Sequence, residues 1–384
     1  MPETITASSA GIDPLSAVTH PDPYPYYREL AATRPFFREP RLGLWVAAGP
    51  REVAAVLAHP DCRVRPLAQP VPPALAGTAA ADLFGRLIRM NDGPAHAPLK
   101  ALLMPMLAAV DPGVAAQRIA AIARMMDTGE DAHAAMPAAS VNRWLFALPV
   151  VAVAAVLGLP VARDRGTAVE VAQQVAAFAA AQSPLADADT VRAGAEAARW
   201  LDTWLASSLA SSVAADGPLP ALQRAAQAAG IEGQAVAANI IGLLVQACEA
   251  TAGLAGNTLL WLGRNPSAGD MPLQGVVARA AQDDPPVQNT RRFLAADTEL
   301  CGQAVKAGDT VLVLLAAASC SGLADDARAW TFGHGRHACP GDRLAQALAT
   351  ATVAALRARG ADPDALARAF RYRPSLNARI PHFL

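Results

Sequence analysis

Apolar residues recur at the spacing of a buried helix face over most of the chain. Between residues 114 and 208 this pattern predicts several alanine-rich helices, including 141–157, 167–181 and 191–208, with a loop at 184–188 joining the last two. Amphipathic helices bury their apolar faces by packing on one another. The pattern therefore predicts a mainly α-helical protein.

The N-terminal part of the chain has a different pattern. Residues 36–46 alternate around Gly43 and predict a β-hairpin, which lies between a short helix ending near Thr33 and another helix at 50–57. Residues 66–79 are rich in proline and small side chains and predict a loop. The expected fold class is therefore α+β, mainly helical with small β-sheets.

Length and composition are those of one large domain. The chain has 384 residues, of which 53% are apolar and 17% charged, and this balance favours a large buried core. We expect a single domain over 1–384, with a β-rich lobe at about 20–65, a helical lobe, and a flexible stretch at 1–16 that lacks the order of a signal peptide. The net charge of -1 indicates no general attraction to nucleic acid or to an anionic membrane.

Cysteine usage and hydropathy predict a cytoplasmic protein outside the membrane. The five cysteines are scattered, odd in number and without short paired spacings, which is typical of a reduced chain. Residues 145–162 carry no charge and approach the length that crosses a bilayer. Pro149 and Pro160 interrupt this run, so its unbroken part, 150–157, better suits a buried core helix.

The stretch around Cys339 holds most of the candidate chemistry. It places the cysteine at the end of a loop with Gly333, Gly335 and Gly341, directly before a helix predicted over 344–356. A thiolate at a helix N-terminus is stabilised by the helix dipole and by free N–H groups. This suits a metal-ligating sulfur, and the glycines would let the loop lie flat along a large cofactor.

Two other interpretations of this stretch remain open on its residues alone. Cys339 can be a buried structural thiol, or His334, His337 and Cys339 can be three ligands of a zinc ion. However, the run Phe332-Gly-His-Gly-Arg-His-Ala-Cys-Pro-Gly341 resembles the haem-binding signature of the cytochrome P450 family, the thiolate-haem monooxygenases.

The resemblance extends from about residue 20 to the C-terminus. It implies the P450 fold, with a long central helix over haem b and the haem iron bound by Cys339. Phe332, Gly333 and Gly341 would then pack beside the cofactor, and the hydrogen bonds of this loop would tune the sulfur.

Four basic side chains are candidates for the haem propionates. His96 and Lys100 share one face of a helix that Asp92 would cap, and a solvated basic face is the alternative. The resemblance also assigns His337 and Arg292 to the propionates, although for Arg292 a surface arginine is the alternative.

The longest helical pattern runs over 235–262 and places Ala247 and Thr251 on one face. The resemblance implies that Thr251 takes part in protonating oxygen, while Ala247 and Cys248 let oxygen approach the helix. A threonine bonded back to its own helical turn is the alternative for Thr251.

The family usually carries an acid directly before this threonine, where this chain has Ala250. Glu249 lies one residue earlier, which turns its side chain by about 100° around the helix. We therefore do not expect the Glu249 side chain to take the place of the missing acid directly. Proton delivery would use water, the substrate, or Glu249 by another route.

A second departure lies in the helix before the double proline. The Glu-x-x-Arg pair of the family falls on Arg279 and Gln282, so both members are absent. The loop after a strand predicted over 311–318, which usually supplies a third partner, is also much shorter. A buried charge without partners is costly, so losing the pair and its partner loop together is physically more consistent than losing either alone. Arg279 is expected to pair with Asp283 instead.

These observations predict a haem-thiolate oxidoreductase that activates dioxygen to hydroxylate, couple or rearrange a small secondary metabolite or xenobiotic. Candidate substrate contacts, all of which can equally be plain core, are Leu243, Leu244, Ala247, Val287 and Leu376. The resemblance implies a ferredoxin-type electron donor, for which Lys100, Arg336 and Arg343 would form a basic docking patch. A peroxide-dependent enzyme, a dehydratase or isomerase, and a non-catalytic haem-binding protein remain alternatives.

Overall fold

The computed structural model describes residues 12–94, 96–127, 135–210, 217–267, 271–322 and 329–384. Most of them are helical, which confirms the predicted fold class. The helices are α1 (Tyr24–Thr33), α2 (Pro50–Ala58), α3 (Ala79–Gly85), α4 (His96–Ala108), α5 (Pro112–Met126), α6 (Ala138–Val156), α7 (Arg165–Ala181), α8 (Ala188–Ala210), α9 (Pro218–Ala228), α10 (Gly233–Arg264), α11 (Leu273–Asp283), α12 (Leu315–Cys320), α13 (Asp342–Ala358) and α14 (Pro363–Arg368).

Short strands form three small sheets in the described part of the chain. The strands are β1 (Phe36–Glu39), β2 (Leu44–Ala47), β3 (Cys62–Arg63), β4 (Thr290–Leu294), β5 (Thr298–Leu300), β6 (Gln303–Val305), β7 (Thr310–Val313), β8 (Phe370–Tyr372) and β9 (Pro381–Phe383). The largest sheet has the order β1-β2-β7-β4-β3, with β2 and β7 parallel and the other pairs antiparallel. The predicted hairpin is β1 and β2, and its sheet is completed by strands from much later in the chain.

Prolines and caps set several helix ends. Pro112 is the first residue of α5, where a missing N–H costs nothing, and the Asp111 carboxylate accepts the Gly113 N–H at 2.7 Å. The double proline after Asp284 ends α11, because proline cannot continue a helix. These local signals explain why most predicted helices lie close to their expected bounds.

Helix α10 lies at the centre of the molecule and packs against most of the other long helices. Its glycines let neighbouring backbone approach closely. A Cβ at Gly253 would lie 2.8 Å from Pro286, one at Gly256 would lie 2.6 Å from Pro381, and one at Gly263 would lie 2.2 Å from the Pro363 carbonyl oxygen. The C-terminal half of α10 therefore requires small residues at these positions.

The strand predicted over 311–318 is wrong in its second half. β7 ends at Val313, and the following residues form α12, where the alanines at 316–318 are fully or almost fully buried. Alanine is the best helix former and is depleted in strands, so its propensity prevails once the ladder ends. Residues 323–328, in the loop predicted to be short, lie outside the described residues, as do residues 1–11 of the stretch predicted to be flexible.

A fully buried ion pair lies just after α11. Arg379 is 0% exposed, and its Nε donates to the Asp284 carboxylate at 2.8 Å. The Tyr24 hydroxyl donates to the same carboxylate. The remaining guanidinium N–H groups donate to the carbonyl oxygens of Val18, His20 and Pro21. This pair joins the N-terminal segment, α11 and the C-terminal hairpin β8–β9.

Two helices, α6 and α10, are long and apolar enough to cross a bilayer by length and composition. A bent pair, α4 and α5, would pass the same test together. In α6, residues 150–152 are fully buried among other helices, which is the core position predicted for this run. The absence of a membrane stays a prediction.

Candidate functional site

Two short 3-10 turns shape the loop that carries Cys339. They span Trp330–Phe332 and Gly335–His337, and the Cys339 N–H closes the loop by donating to the Phe332 carbonyl oxygen at 2.8 Å. Gly333 and Gly335 have φ of 71° and 66°, a region that favours glycine. A Cβ at Gly335 would also lie 3.2 Å from the Leu57 carbonyl oxygen, because this turn packs on the end of α2.

Cys339 is partly buried, three residues before the first residue of α13. Burial raises the pKa of its thiol, and this outweighs the Gly341 N–H and the Lys100 charge, which both favour the thiolate. The predicted stabilisation at the helix start is thus present but is not dominant. A sulfur of this kind becomes a thiolate when a metal ion binds it.

Asp92 connects the cysteine loop to the strands of the large sheet. Its side chain is 7% exposed and accepts the Arg336 Nε–H at 3.0 Å, the Val64 N–H at 2.6 Å and a 2.8 Å hydrogen bond with His337 Nε2. These hydrogen bonds hold the pKa of Asp92 far below its usual range, although burial opposes them. Asp92 lies four residues before α4, so the prediction that it caps this helix is wrong.

The predicted propionate ligands come together around this carboxylate. The rings of His96 and His337 lie 4.6 Å apart, and His96 is 8% exposed. Lys100, one turn further along α4, donates its Nζ–H to the Arg336 carbonyl oxygen beside the cysteine loop. Burial lowers the pKa of both His96 and Lys100. The sequence placed Asp92 at a helix cap and not among these side chains, whose role as propionate ligands stays a prediction.

Two arginines beside this cluster, one buried and one half-buried, have Nε donors without a partner in the described part of the chain. Arg292 is 5% exposed, and burial lowers its pKa to about 10. Its Nε and the Nε of Arg63 have no hydrogen-bond partner among the described residues. Arg63 was not predicted; it lies in β3, which pairs with the strand of Arg292, and its Nη1 donates to the Asp92 carbonyl oxygen at 3.2 Å.

The surroundings of the cysteine fit a flat, anionic cofactor better than a small ion. Unpartnered arginine donors suit propionate oxygens. A Cβ built at Gly341 would meet no described atom within 4 Å, so a wide planar group can lie there. The described residues contain no group of three histidine, cysteine or acidic side chains arranged for a metal ion, which removes the zinc alternative.

The predicted docking patch is only partly available. Arg336 is 28% exposed, and its guanidinium bonds Asp92 and the Cys62 carbonyl oxygen. The Lys100 Nζ already donates a hydrogen bond to the Arg336 carbonyl oxygen. Arg343, in the first turn of α13, is exposed. The three charges therefore do not form one free patch, because two of them build the loop.

On α10 the structure buries the predicted face. Thr251 is 2% exposed and Ala247 is 7% exposed. Thr258 donates its hydroxyl to the Leu254 carbonyl oxygen at 2.7 Å, whereas the Thr251 hydroxyl makes no such bond to the described residues. The hydroxyl of Thr251 therefore remains available for a water or a ligand.

Glu249 points to a charged environment that the sequence did not predict. Burial raises the pKa of its carboxyl, and the charges of Arg373 and Arg89 oppose this shift. This side of α10 therefore carries charged groups. The spacing of residues could not predict these contacts, because Arg89 precedes α4 and Arg373 follows β8, so both arginines are far from Glu249 in sequence.

The two substrate candidates outside α10, Val287 and Leu376, lie close together. Val287 forms an isolated β-bridge with Ala378, and the Gln288 N–H donates to the Asn377 carbonyl oxygen at 2.9 Å. The Asn289 side chain donates to the Leu376 carbonyl oxygen at 2.8 Å. Leu376 and Val287 are both partly buried, so the turn after β8 is held against the segment that follows α11.

No protein-family model and no curated protein sequence matches the chain. Solved structures do match over nearly its whole length. The chain is 20% identical to P450BioI in complex with an acyl carrier protein, covering 94% of this chain and 96% of that one with a TM-score of 0.74. It is 20% identical to P450 RauA, covering 97% of each chain with a TM-score of 0.72.

The chain is 17% identical to the heme domain of the Tepidiphilus thermophilus P450. The match covers 97% of this chain and 95% of that one, with a TM-score of 0.77. At such identities the likeness shows the fold. The chain has the cytochrome P450 fold.

Proposed function

We propose that the protein is a haem-thiolate oxidoreductase that uses dioxygen to hydroxylate, couple or rearrange a small organic molecule. One observation carries this proposal. In a chain with the P450 fold, Cys339 lies beside a cluster of basic side chains that includes the unpartnered donors of Arg63 and Arg292.

Haem b would be held with its iron on the Cys339 sulfur and its propionates among His96, Lys100, Arg292 and His337. Phe332, Gly333 and Gly341 would line its face. When bound, the haem supplies an iron centre that activates dioxygen with electrons from a donor.

Residues of α10 would control protons near the cofactor. The free hydroxyl of Thr251 would hold a water at Oγ1, and the small side chain of Ala247 would leave room for it. Glu249 keeps its proton to higher pH than an exposed glutamate, since burial raises its pKa. It would therefore serve as a proton source through water rather than by direct contact.

The apolar side chains Leu243, Leu244, Val287 and Leu376 would exclude bulk water and hold the apolar part of the substrate. The structural relatives do not settle its identity. P450BioI is bound to a fatty acid carried by an acyl carrier protein, CREJ to an ethylphenyl phosphate, and EryK to erythromycin B.

The electron donor would be a separate ferredoxin-type protein. Arg343 is the exposed member of the predicted patch, so a donor would dock near the start of α13.

One observation favours a second function. Ala250 stands where a proton-delivering acid is usual, which would suit a reaction that uses peroxide or needs no oxygen activation.

Turnover by the purified protein separates the two functions. With a substrate in hand, we expect product with dioxygen, a ferredoxin, its reductase and NADPH, and a loss of at least tenfold in Thr251→Ala, in the range of a lost proton-transfer group. Thr258→Ala, a buried threonine bonded within its own helix, is the matched control. Turnover that proceeds with peroxide alone, at equal rates in wild type and Thr251→Ala, would favour the second function.

A further inference from the structure

Arg89 is a buried arginine with too few partners. Its guanidinium donates to the Gln182 side chain at the end of α7, but its Nε has no hydrogen-bond partner among the described residues. Burial lowers the pKa of Arg89 to about 10. A buried donor without an acceptor costs about 1–3 kcal/mol, and more when it is charged. An arginine in this state is suited to an anionic ligand.

The segment that carries Arg89 lies along α10. The Asn239 side chain accepts the Ile88 N–H and donates to the Arg86 carbonyl oxygen, both at 2.8 Å. Leu87 presses on Gly242, where a Cβ would lie 2.8 Å from its methyl group. These contacts close one end of this face of α10, and Arg89 lies close enough to Glu249, further along the helix, to interact with its charge.

The same face is closed again further along. A Cβ at Gly253 would lie 2.8 Å from Pro286 and 3.3 Å from Ile380. Positions 242, 246, 249 and 253 recur every three to four residues and so share a face. Between the two closed ends, Gln246 is exposed although its neighbours on α10 are buried. This face of α10 is therefore open to solvent at Gln246, between the two closed ends and beside Leu243.

The charges around this opening do not cancel. Arg89 and Arg373 both interact electrostatically with Glu249, so two positive groups face one negative group. Arg373 begins the turn that leads to Leu376, and its guanidinium lies 4.6 Å from the centre of the Phe146 ring. Arg373 is exposed, so water screens its charge, whereas the buried Nε of Arg89 has no partner among the described residues and is best balanced by an anion.

We propose that the substrate is an organic carboxylate with an apolar body, anchored by its carboxylate at Arg89. The free Nε donor of Arg89 supplies a charge-assisted hydrogen bond, and Arg373 adds positive potential at the outer side. The apolar body extends towards Leu243, Val287 and Leu376. This inference relies on the proposed function only for identifying the opening as the substrate pocket.

Calorimetric titration of the purified full chain tests the proposal without turnover. The probes are 4-phenylbutyrate and 6-phenylhexanoate, each compared with the alcohol of the same length. We expect wild type to prefer the acids, and Arg89→Gln to weaken acid binding about tenfold or more, the equivalent of one charge-assisted hydrogen bond, while alcohol binding changes less than about twofold.

Two further variants sharpen the test. Arg86→Gln removes an exposed charge three residues earlier on the same segment and is expected to leave the binding of both probes unchanged. In titrations above the pKa of Glu249, where its carboxylate is charged, Glu249→Gln removes the competing negative charge and is expected to tighten acid binding alone. This second effect does not depend on whether Arg89→Gln folds.

Equal loss of acid and alcohol binding in Arg89→Gln would show that Arg89 only supports the fold, and would overturn the proposal. No preference of wild type for the acids, or no tightening in Glu249→Gln, would overturn it as well. Because calorimetry needs no haem signal, failure of the haem assignment appears separately, as a protein that binds acids but carries no haem.

Discussion

At the residue scale, Asp92 determines how the cysteine loop is held. It accepts hydrogen bonds from the Val64 N–H just after β3, from an arginine and from a histidine while almost fully buried. Each of these donors loses its acceptor if the carboxylate is removed, and unpaired buried charge is the expensive outcome. The basic cluster that we propose for the propionates thus depends on one acid of the protein itself.

We therefore expect Asp92→Ala to lower the free energy of unfolding by about 3 kcal/mol, the cost typical of breaking a buried pair, and to speed the loss of haem. Urea unfolding and haem transfer to apomyoglobin measure the two effects. Asp189→Ala removes an exposed ion pair on α8 and should cost less than about 1 kcal/mol. Equal costs for the two variants would contradict the role given to Asp92.

Glu249 is expected to make the stability of the fold depend on pH. Because burial raises its pKa above the usual 4.5, ionising it costs more in the folded than in the unfolded chain. Its contribution therefore becomes destabilising as pH rises from about 4.5 through the folded pKa. We expect Glu249→Gln to gain melting temperature relative to wild type between pH 4.5 and 7. A difference that is constant with pH would refute this.

The sequence predicted these site residues unevenly, for a physical reason. Cys339, His96 and Lys100 belong to short motifs whose spacing carries the chemistry, so the residues alone were informative. Asp92, Arg63 and Arg89 act through contacts with residues distant in sequence, which no local spacing encodes. The pKa of Cys339 was missed in the same way, since it depends on burial rather than on its place before a helix.

At the element scale, the ion pair at the end of α11 has a consequence for stability. The position usual for the Glu-x-x-Arg pair holds only Arg279, which is 60% exposed and pairs with Asp283 at 2.9 Å as predicted. The buried pair of Asp284 and Arg379 lies one residue beyond α11 and joins the two ends of the chain. The end of α11 is therefore held by contacts with residues near the N-terminus and the C-terminus of the chain.

We expect Arg379→Ala to destabilise the fold by about 3–5 kcal/mol, since it leaves Asp284 buried without its partner. Arg279→Ala should cost less than about 1 kcal/mol, because exposed pairs on a helix contribute little. Chemical unfolding of both variants, with Arg379→Lys as an intermediate case, measures the contrast. A larger loss at Arg279 than at Arg379 would contradict this account of the anchor.

Most elements were predictable because their signals are local. The α10 pattern, the hairpin around Gly43 and the proline stop of α11 each follow from residues within a few positions. α12 was missed, since an apolar run of eight residues fits a strand or a helix equally well. The pairing of β2 with β7 joins segments far apart in sequence, so only the fold as a whole determines it.

At the scale of the whole molecule, the fold, the cysteine loop and the basic cluster support one assignment. The chain has lost the usual ion pair and the acid before the threonine, yet Cys339 and the candidate propionate ligands remain together. We therefore expect the purified protein to bind one haem per chain. A pyridine haemochrome measurement gives this ratio, and a ratio near zero after reconstitution would contradict the assignment.

The absorption spectrum of the reduced protein under carbon monoxide tests the central claim most directly, because it reports the ligand of the iron. We predict the long-wavelength Soret band of a thiolate-ligated ferrous carbonyl haem in wild type and in Cys301→Ser, an exposed control. In Cys339→Ser this band should move to the shorter wavelength of an oxygen- or nitrogen-ligated haem. The same long-wavelength band in Cys339→Ser would contradict the claim that Cys339 binds the iron.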